Sequence, residues 1–141
     1  DTPDWTANPV AALSEFASEL GYAFQLCDDL LGVYGDEAKF GKPLCSDFRE
    51  GKPTVLYLEA LERLTESGRA ELAALMKRPA YAEADIAKIR SLLEECGARA
   101  AVVRAAEESS DKAMANLASL PGTKYRSLLE ELAEELLKRN V

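Results

Sequence analysis

The stretch from residue 21 to residue 54 constrains the fold more than any other part of this sequence. Its first half reads as a helix, on which the polar residues fall within an arc of roughly 100°. The arc holds the polar residues Gln25, Asp28, Asp29 and Asp36, together with Gly32. The rest of the helix surface is apolar and carries Phe24, Leu26, Cys27, Leu30, Leu31, Val33 and Tyr34. A helix that is apolar around most of its circumference is typical of a protein interior. The pattern therefore predicts a buried helix with carboxylates along one side.

The second half of this stretch, residues 35–53, reads as a long loop that is rich in glycine and proline. A loop of this length without secondary structure is usually functional or disordered. It carries the cations Lys42, Arg49 and Lys52, and both lysines follow a glycine. Buried anions need cations, either from the protein or from a metal. Carboxylates that face lysines across a gap indicate a site for a divalent metal that carries a phosphate-rich ligand.

A series of short motifs recurs in a fixed order between residues 24 and 54. They are Phe24-Gln25, Asp28-Asp29, Gly41-Lys42, Asp47, Gly51-Lys52 and Thr54. This series resembles the second aspartate-rich region of the trans-isoprenyl diphosphate synthases, also called polyprenyl synthetases. The sequence departs from the family pattern in two ways. The third aspartate of the motif is replaced by Gly32, and the 141 residues contain no first aspartate-rich motif.

The resemblance implies an all-α fold, an isoprenoid-synthase-type helical bundle, of which residues 1–141 form a single unit from the C-terminal portion. It also implies a prenyltransferase, similar to geranylgeranyl or farnesyl diphosphate synthases. Such an enzyme uses Mg²⁺ to ionise an allylic diphosphate and condenses it with isopentenyl diphosphate. The family members are longer than this chain, so the missing N-terminal half of the same protein is an expected partner. A homodimer is expected as well.

Six residues match the site positions of the family: Gln25, Asp28, Asp29, Lys42, Asp47 and Lys52. The resemblance assigns the three aspartates to magnesium, with Asp28 as the direct ligand and the other two acting through water or orienting neighbours. It assigns the glutamine and the two lysines to the diphosphate. Asp28, Asp29 and Lys42 form the expected catalytic set. Asp36 lies one turn beyond Gly32 on the same side of the helix, and partial compensation for the lost aspartate is a hypothesis. A rise of 1.5 Å per residue places Asp36 about 12 Å from Asp28 along the axis, too far to share one ion directly.

Two other functions are compatible with the same motifs. A synthase-like regulatory or binding subunit would keep the fold without ionising a substrate. A purely structural helical module would leave the acidic side of the helix in solvent, which is the usual place for acidic side chains. An upstream aspartate-rich motif in the parent gene would favour the enzyme, and a magnesium-dependent response to pyrophosphate would argue against the structural module.

Composition narrows the remaining possibilities. The net charge is −8, with 25 acidic and 17 basic residues, which argues against nucleic-acid binding because that function needs a basic surface. No stretch approaches the roughly 18 apolar residues of a membrane span. Three irregularly spaced cysteines do not make a disulfide framework and predict reduced thiols in the cytoplasm. Since the chain contains no histidine, mechanisms with a histidine base are excluded.

The periodicity of apolar residues predicts about six helices and no sheet. Asn8 is the expected cap of the first helix and Pro9 its first residue, and Gly35 is expected to end it in the left-handed conformation. The other helices are predicted at about 54–67, 69–77, 83–96, 98–119 and 123–138, with a break at Ser67-Gly68.

Overall fold

The computed structural model describes residues 8–138, apart from the side chain of Phe40. All regular secondary structure in this part of the chain is helical, so the prediction of an all-α protein is confirmed. The described helices are α1 (Pro9–Tyr34), α2 (Glu37–Phe40), α3 (Ser46–Arg49), α4 (Val55–Arg63), α5 (Glu66–Met76), α6 (Glu83–Glu95), α7 (Ala98–Ala118) and α8 (Lys124–Lys138). None of them combines the length and the apolar character that crossing a membrane requires.

The chain divides into two compact units. The first consists of Asp1–Cys27 and Ala105–Val141, and the second of Asp28–Arg104. The long helices α1 and α7 therefore each contribute to both units.

The first unit is built around one apolar cluster from α1, α7 and α8. Its buried members are Ala12, Phe16, Leu20, Ala113, Leu117, Leu120 and Ala133. The members on α1 recur every four residues, as do Ala113 and Leu117 on α7, which places them on one side of each of these helices; Leu120 follows the end of α7. At the start of α1, the Asn8 side-chain oxygen accepts hydrogen bonds from the backbone N–H groups of Val10 (3.1 Å) and Ala11 (3.2 Å). The predicted cap is thus confirmed.

The second unit buries side chains from the end of α1, from α3, α4, α5 and α6, and from the start of α7. The largest fully buried ones are Val33, Cys45, Phe48, Leu56, Leu72, Ile89, Leu93 and Val102. α5 packs against α6 within this unit. At the start of α6, the buried Asp85 accepts hydrogen bonds from the Ala82 N–H (3.0 Å) and from the Arg78 guanidinium.

Two glycines act differently from the sequence prediction. Gly35 has no positive φ, so the prediction of a left-handed residue there is wrong. A Cβ at this position would lie 2.6 Å from the Leu31 carbonyl oxygen, and the close approach of the backbone is what requires glycine. The predicted helix break at Ser67-Gly68 is also wrong, because Thr65 caps α5 by accepting from the Gly68 N–H (3.2 Å) and places both residues inside that helix.

A partly buried cluster of polar side chains lies at the C-terminal end of α1. The guanidinium carbon atoms of Arg99 and Arg90 lie 4.3 Å and 5.7 Å from the centre of the Tyr34 ring. The Tyr34 hydroxyl is buried and has no hydrogen-bond partner among the described residues. Burial, followed by repulsion from Glu94, raises the pKa of Tyr34 from 10.0 to about 12, although both arginines oppose the change. Burial likewise raises the pKa of Cys45 from 9.0 to about 11.

Because of these two raised pKa values, the free energy of unfolding depends on pH in the alkaline range. The folded pKa is raised in each case, so the folded state keeps a proton that the unfolded chain releases. The associated stabilisation is fully present below about pH 9 and is lost as the pH rises towards about 12. The free energy of unfolding should therefore fall across this interval.

We expect Tyr34→Phe to raise the free energy of unfolding at pH 7 by about 1 kcal/mol, because it removes a buried hydroxyl that has no partner. The variant should also lose less stability than the wild type above pH 10. Urea titrations at pH 7 and pH 11 would measure both effects. Tyr125→Phe is the matched control, since the Tyr125 side chain is exposed. A lower stability of Tyr34→Phe at pH 7 would contradict the expectation.

Candidate active site

The two adjacent aspartates of α1 have different surroundings. Asp28 is half-buried, and no hydrogen bond or ion pair of its side chain is found among the described residues. Asp29 is only 5% exposed, and its carboxylate accepts a hydrogen bond from the Val55 backbone N–H at 3.1 Å. Val55 is the first residue of α4. The main-chain donor leaves no trace in the sequence pattern, so motif reasoning did not identify this contact.

The predicted loop, residues 35–53, contains two one-turn helices, α2 and α3. It is attached to α1 by a backbone hydrogen bond from the Cys45 N–H to the Gly32 carbonyl oxygen, at 2.7 Å. Phe48 is buried and packs edge-on against Tyr57, with the ring centres 5.7 Å apart. Phe48 therefore holds the middle of the loop in the core of the second unit. The loop is therefore an ordered part of the second unit, held by a hydrogen bond to α1 and by a buried side chain.

Asp47 and Lys52 are brought together at the end of this loop. The Lys52 ammonium nitrogen lies 3.6 Å from the Asp47 Oδ2 atom, and the lysine side chain is 51% exposed. The backbone supports the pair, because the Lys52 N–H donates to the Asp47 carbonyl oxygen at 2.9 Å. Gly51, just before the lysine, has a φ of 68°, a conformation that favours glycine. The loop thus presents a carboxylate and an ammonium group side by side.

Gly32 lies opposite Asp47. A Cβ at Gly32 would have one neighbour within 4 Å, the Asp47 Oδ2 atom at 4.0 Å. Asp28 and Gly32 are four residues apart on α1 and therefore share a side of the helix. The position of the family's third aspartate is thus open and faces the carboxylate of the loop.

The remaining site positions are more exposed. Gln25 lies one turn before Asp28 on α1, in the part of the helix that belongs to the first unit, and is exposed. Lys42 is exposed as well and follows Gly41, whose φ is 75°. The assignment of Gln25 and Lys42 to the diphosphate stays a prediction.

Asp36 does not continue the polar side of α1. The helix ends at Tyr34, and Asp36 caps α2 by accepting from the Ala38 N–H at 3.0 Å. Its predicted place on the helical arc is therefore wrong, because the chain changes direction at Gly35. Nor is the apolar side of α1 buried throughout, as the sequence predicted, since Tyr22 and Phe24 are partly exposed.

The donor set can be tested against magnesium. Among the described residues, no three His, Cys, Asp or Glu side chains are grouped so as to hold a metal ion. Magnesium, however, is commonly bound by one or two carboxylates together with the phosphates of a substrate. The carboxylates of Asp28 and Asp47, both half-buried, are oxygen donors of the kind that this arrangement uses. The residues present therefore fit a magnesium ion that arrives with its diphosphate.

Known proteins resemble this chain in sequence. The polyprenyl synthetase family model matches residues 4–93. The geranylgeranyl diphosphate synthase of Saccharolobus solfataricus is 34% identical over 112 residues, which cover 79% of this chain and 33% of that protein. The octaprenyl diphosphate synthase of Escherichia coli is 34% identical over 132 residues, which cover 91% of this chain and 39% of that protein. The chain thus spans between a third and two fifths of the length of these relatives.

Solved structures match the fold. The geranylgeranyl pyrophosphate synthetase of Pyrococcus horikoshii aligns with a TM-score of 0.83 at 32% identity, covering 92% of this chain and 39% of that one. A geranylgeranyl pyrophosphate synthase of Corynebacterium glutamicum, complexed with isoprenyl diphosphate and magnesium, aligns with a TM-score of 0.80 at 34% identity. That alignment covers 92% of this chain and 37% of the other. The agreement of sequence motifs, helical fold and relatives shows that the chain belongs to the polyprenyl synthetase family.

Proposed function

We propose that residues 1–141 form the C-terminal portion of an isoprenyl diphosphate synthase. Such an enzyme condenses an allylic diphosphate with isopentenyl diphosphate. The observation that carries the proposal is the pairing of Asp47 with Lys52 on a loop that is hydrogen-bonded to the helix of Asp28. A carboxylate for a cation and an ammonium group for an anion lie within 3.6 Å of each other, and a magnesium diphosphate needs both.

The chemistry begins when the allylic carbon–oxygen bond breaks. The electron pair of that bond leaves with the diphosphate, so the barrier depends largely on how well the site stabilises the departing negative charge. Magnesium, when bound, supplies positive charge against the diphosphate oxygens. Asp28 would hold the metal, Asp47 would act on it through water, and Asp29 would orient neighbouring groups.

The polar residues of this chain would bind the other side of the leaving group. Lys42 and Lys52 can each donate charge-assisted hydrogen bonds to diphosphate oxygens, and Gln25 can donate through its amide. No side chain has to form a covalent bond to the substrate, which is consistent with a sequence that contains no histidine. Positioning and charge are the contributions that these residues would make.

The relatives support the substrate class. The Corynebacterium glutamicum structure contains an isoprenyl diphosphate and magnesium. The names of the matched relatives include both geranylgeranyl and octaprenyl diphosphate synthases, and we propose the reaction that these two have in common. The 141 residues contain one aspartate-rich motif. We propose that the other motif, which would bind magnesium from the opposite side of the diphosphate, belongs to an N-terminal part of the protein. We further propose a homodimer in the reducing cytoplasm, where unpaired cysteines persist.

Pyrophosphate binding tests the proposal on this chain. We expect pyrophosphate to raise the unfolding temperature only when magnesium is present, since a ligand at 100 times its Kd adds about 2.7 kcal/mol to the free energy of unfolding. Thermal melts with pyrophosphate alone, with magnesium alone and with both would measure the effect.

Lys52→Ala should abolish most of this magnesium-dependent stabilisation. Lys88→Ala is the matched control, because Lys88 pairs with Glu71 on the surface of the same unit, 3.1 Å away. The control should respond to pyrophosphate as the wild type does. An equal response without magnesium, or an undiminished response in Lys52→Ala, would contradict the proposed site.

A further inference from the structure

Asp29 connects two helices that are distant in sequence. Its Oδ2 atom accepts from the Val55 N–H at 3.1 Å, across 26 residues of chain. The N–H groups in the first turn of a helix have no partner within the helix, so α4 depends on other groups to accept them. Thr54 accepts from the Tyr57 N–H at 3.2 Å. Asp29 accepts from Val55, and it is therefore the acceptor that reaches α4 from a different element, α1.

The carboxylate is well suited to this place. A negative charge is favourable at a helix N-terminus because the partial charges of the first peptide groups are positive there. Asp29 is 5% exposed, and a buried carboxylate needs such donors to offset its lost hydration. The contact thus stabilises the carboxylate and fixes the start of α4 against α1.

Two backbone hydrogen bonds connect the start of α4 to Lys52 and Lys52 to Asp47. The Thr54 N–H donates to the Lys52 carbonyl oxygen at 2.8 Å, and the Lys52 N–H donates to the Asp47 carbonyl oxygen at 2.9 Å. The backbone of Lys52 is therefore held on both sides, by α3 before it and by the start of α4 after it. A shift of the α4 N-terminus would carry Lys52 with it.

We propose that Asp29 is a positioning residue, which places the Lys52 ammonium group for the diphosphate by holding the N-terminus of α4 against α1. The step from α4 to the diphosphate rests on the proposed function, whereas the step from Asp29 to α4 does not. On this basis the adjacent aspartates divide the work. Asp28 binds the metal, and Asp29 holds the N-terminus of α4, which positions the lysine.

Two substitutions separate this role from direct metal binding. Asp29→Asn keeps an oxygen that can accept from the Val55 N–H but removes the charge that a magnesium ligand needs. Asp29→Leu has a similar size and removes the acceptor. Thr65→Ala is the matched control, because it deletes the cap of α5 in the same unit and leaves Asp29 and Thr54, the acceptors at the start of α4, unchanged. The urea concentrations at the midpoint of unfolding would show whether the three variants have the same overall stability.

Hydrogen exchange at the Val55 amide, followed by NMR, tests the first step. We expect exchange to accelerate about tenfold in Asp29→Leu, the effect of losing one hydrogen bond, and to remain near the wild-type rate in Asp29→Asn and Thr65→Ala. Unchanged exchange in Asp29→Leu would overturn the inference. This readout requires no ligand, so it decides the step even if the wild type fails to bind pyrophosphate and the proposed function is wrong.

Calorimetric binding of pyrophosphate with magnesium tests the second step. Asp29→Asn should keep its affinity within about threefold of the wild type, and Asp29→Leu should lose about tenfold. In a background of Lys52→Ala, the Asp29→Leu substitution should cost nothing further, since its effect acts through the lysine. Fully additive losses, or equal losses in the Asn and Leu variants, would overturn the positioning role.

Discussion

Asp28→Ala, in a full-length protein that contains this chain, is expected to lower turnover by about 100-fold or more. The free energy of unfolding should change little. The reason is that Asp28 is half-buried and its side chain makes no hydrogen bond or ion pair with the described residues. What the substitution removes is the carboxylate that we propose holds magnesium against the leaving group. Steady-state assays with an allylic diphosphate and isopentenyl diphosphate, together with urea titrations, would measure the two effects separately.

Asp36→Ala is the comparison for this experiment. Asp36 caps α2 through the Ala38 N–H, so its loss should lower local stability and reduce turnover far less than the loss of Asp28. Comparable decreases in turnover for the two variants would contradict the assignment of Asp28 to the metal.

The second large effect concerns residues 1–141 by themselves. We expect no detectable prenyl transfer from this chain alone, and recovery of activity when the upstream half of the same protein is supplied. The ionising diphosphate has to be held from both sides, and these residues contain one aspartate-rich motif. Assays with labelled isopentenyl diphosphate, before and after addition of the upstream half, would test both parts.

The isolated chain should also associate, either with itself or with the upstream half. Its first unit exposes several large apolar side chains: Val10, Leu13, Tyr22, Phe24, Tyr125, Leu128 and Leu132. Apolar surface of this extent rarely stays uncovered in a monomer. Light scattering after gel filtration would report the mass of the species. A monomeric preparation that condenses the two substrates would refute the prediction.

The sequence predicted the long helices well because their signals are local and repeated. The polar cap of Asn8 and the fixed φ of Pro9 mark the start of α1 in a way that needs no tertiary structure. Gly97, after α6, has a φ of 80°, and it stands at the predicted end of that helix. In each case a few neighbouring residues determine the boundary.

The boundaries that were wrong lie where two local signals compete or where an element is too short to show a period. Gly68 resembles a residue that ends a helix. Thr65, however, caps the first turn of α5 by accepting from the Gly68 N–H, so Gly68 lies inside that helix. The one-turn helices α2 and α3 are too short to show a helical period, so pattern analysis assigned them to a loop. Asp36 was placed on α1 by extending a period beyond the turn at Gly35.

The candidate site likewise has residues that the sequence predicted and a contact that it did not. The motif identified Asp28, Asp47 and Lys52, and the structure brings the last two within 3.6 Å. The hydrogen bond between Asp29 and the Val55 N–H was not predictable, because its donor belongs to the backbone and its partner lies far along the chain. A motif names the side chains of a site, whereas the fold decides which of them reach a ligand and which hold the others.

The open space at Gly32 also bears on how such a site changes over generations. Two of the four glycine codons differ from an aspartate codon by a single nucleotide, and a Cβ atom at this position would lie at an ordinary separation of 4.0 Å from the Asp47 carboxylate. A new carboxylate there would repel Asp47 unless a cation lay between them. Lineages could therefore gain or lose the third aspartate in one mutational step, without remodelling the helix, and selection on the bound metal would decide which form persists.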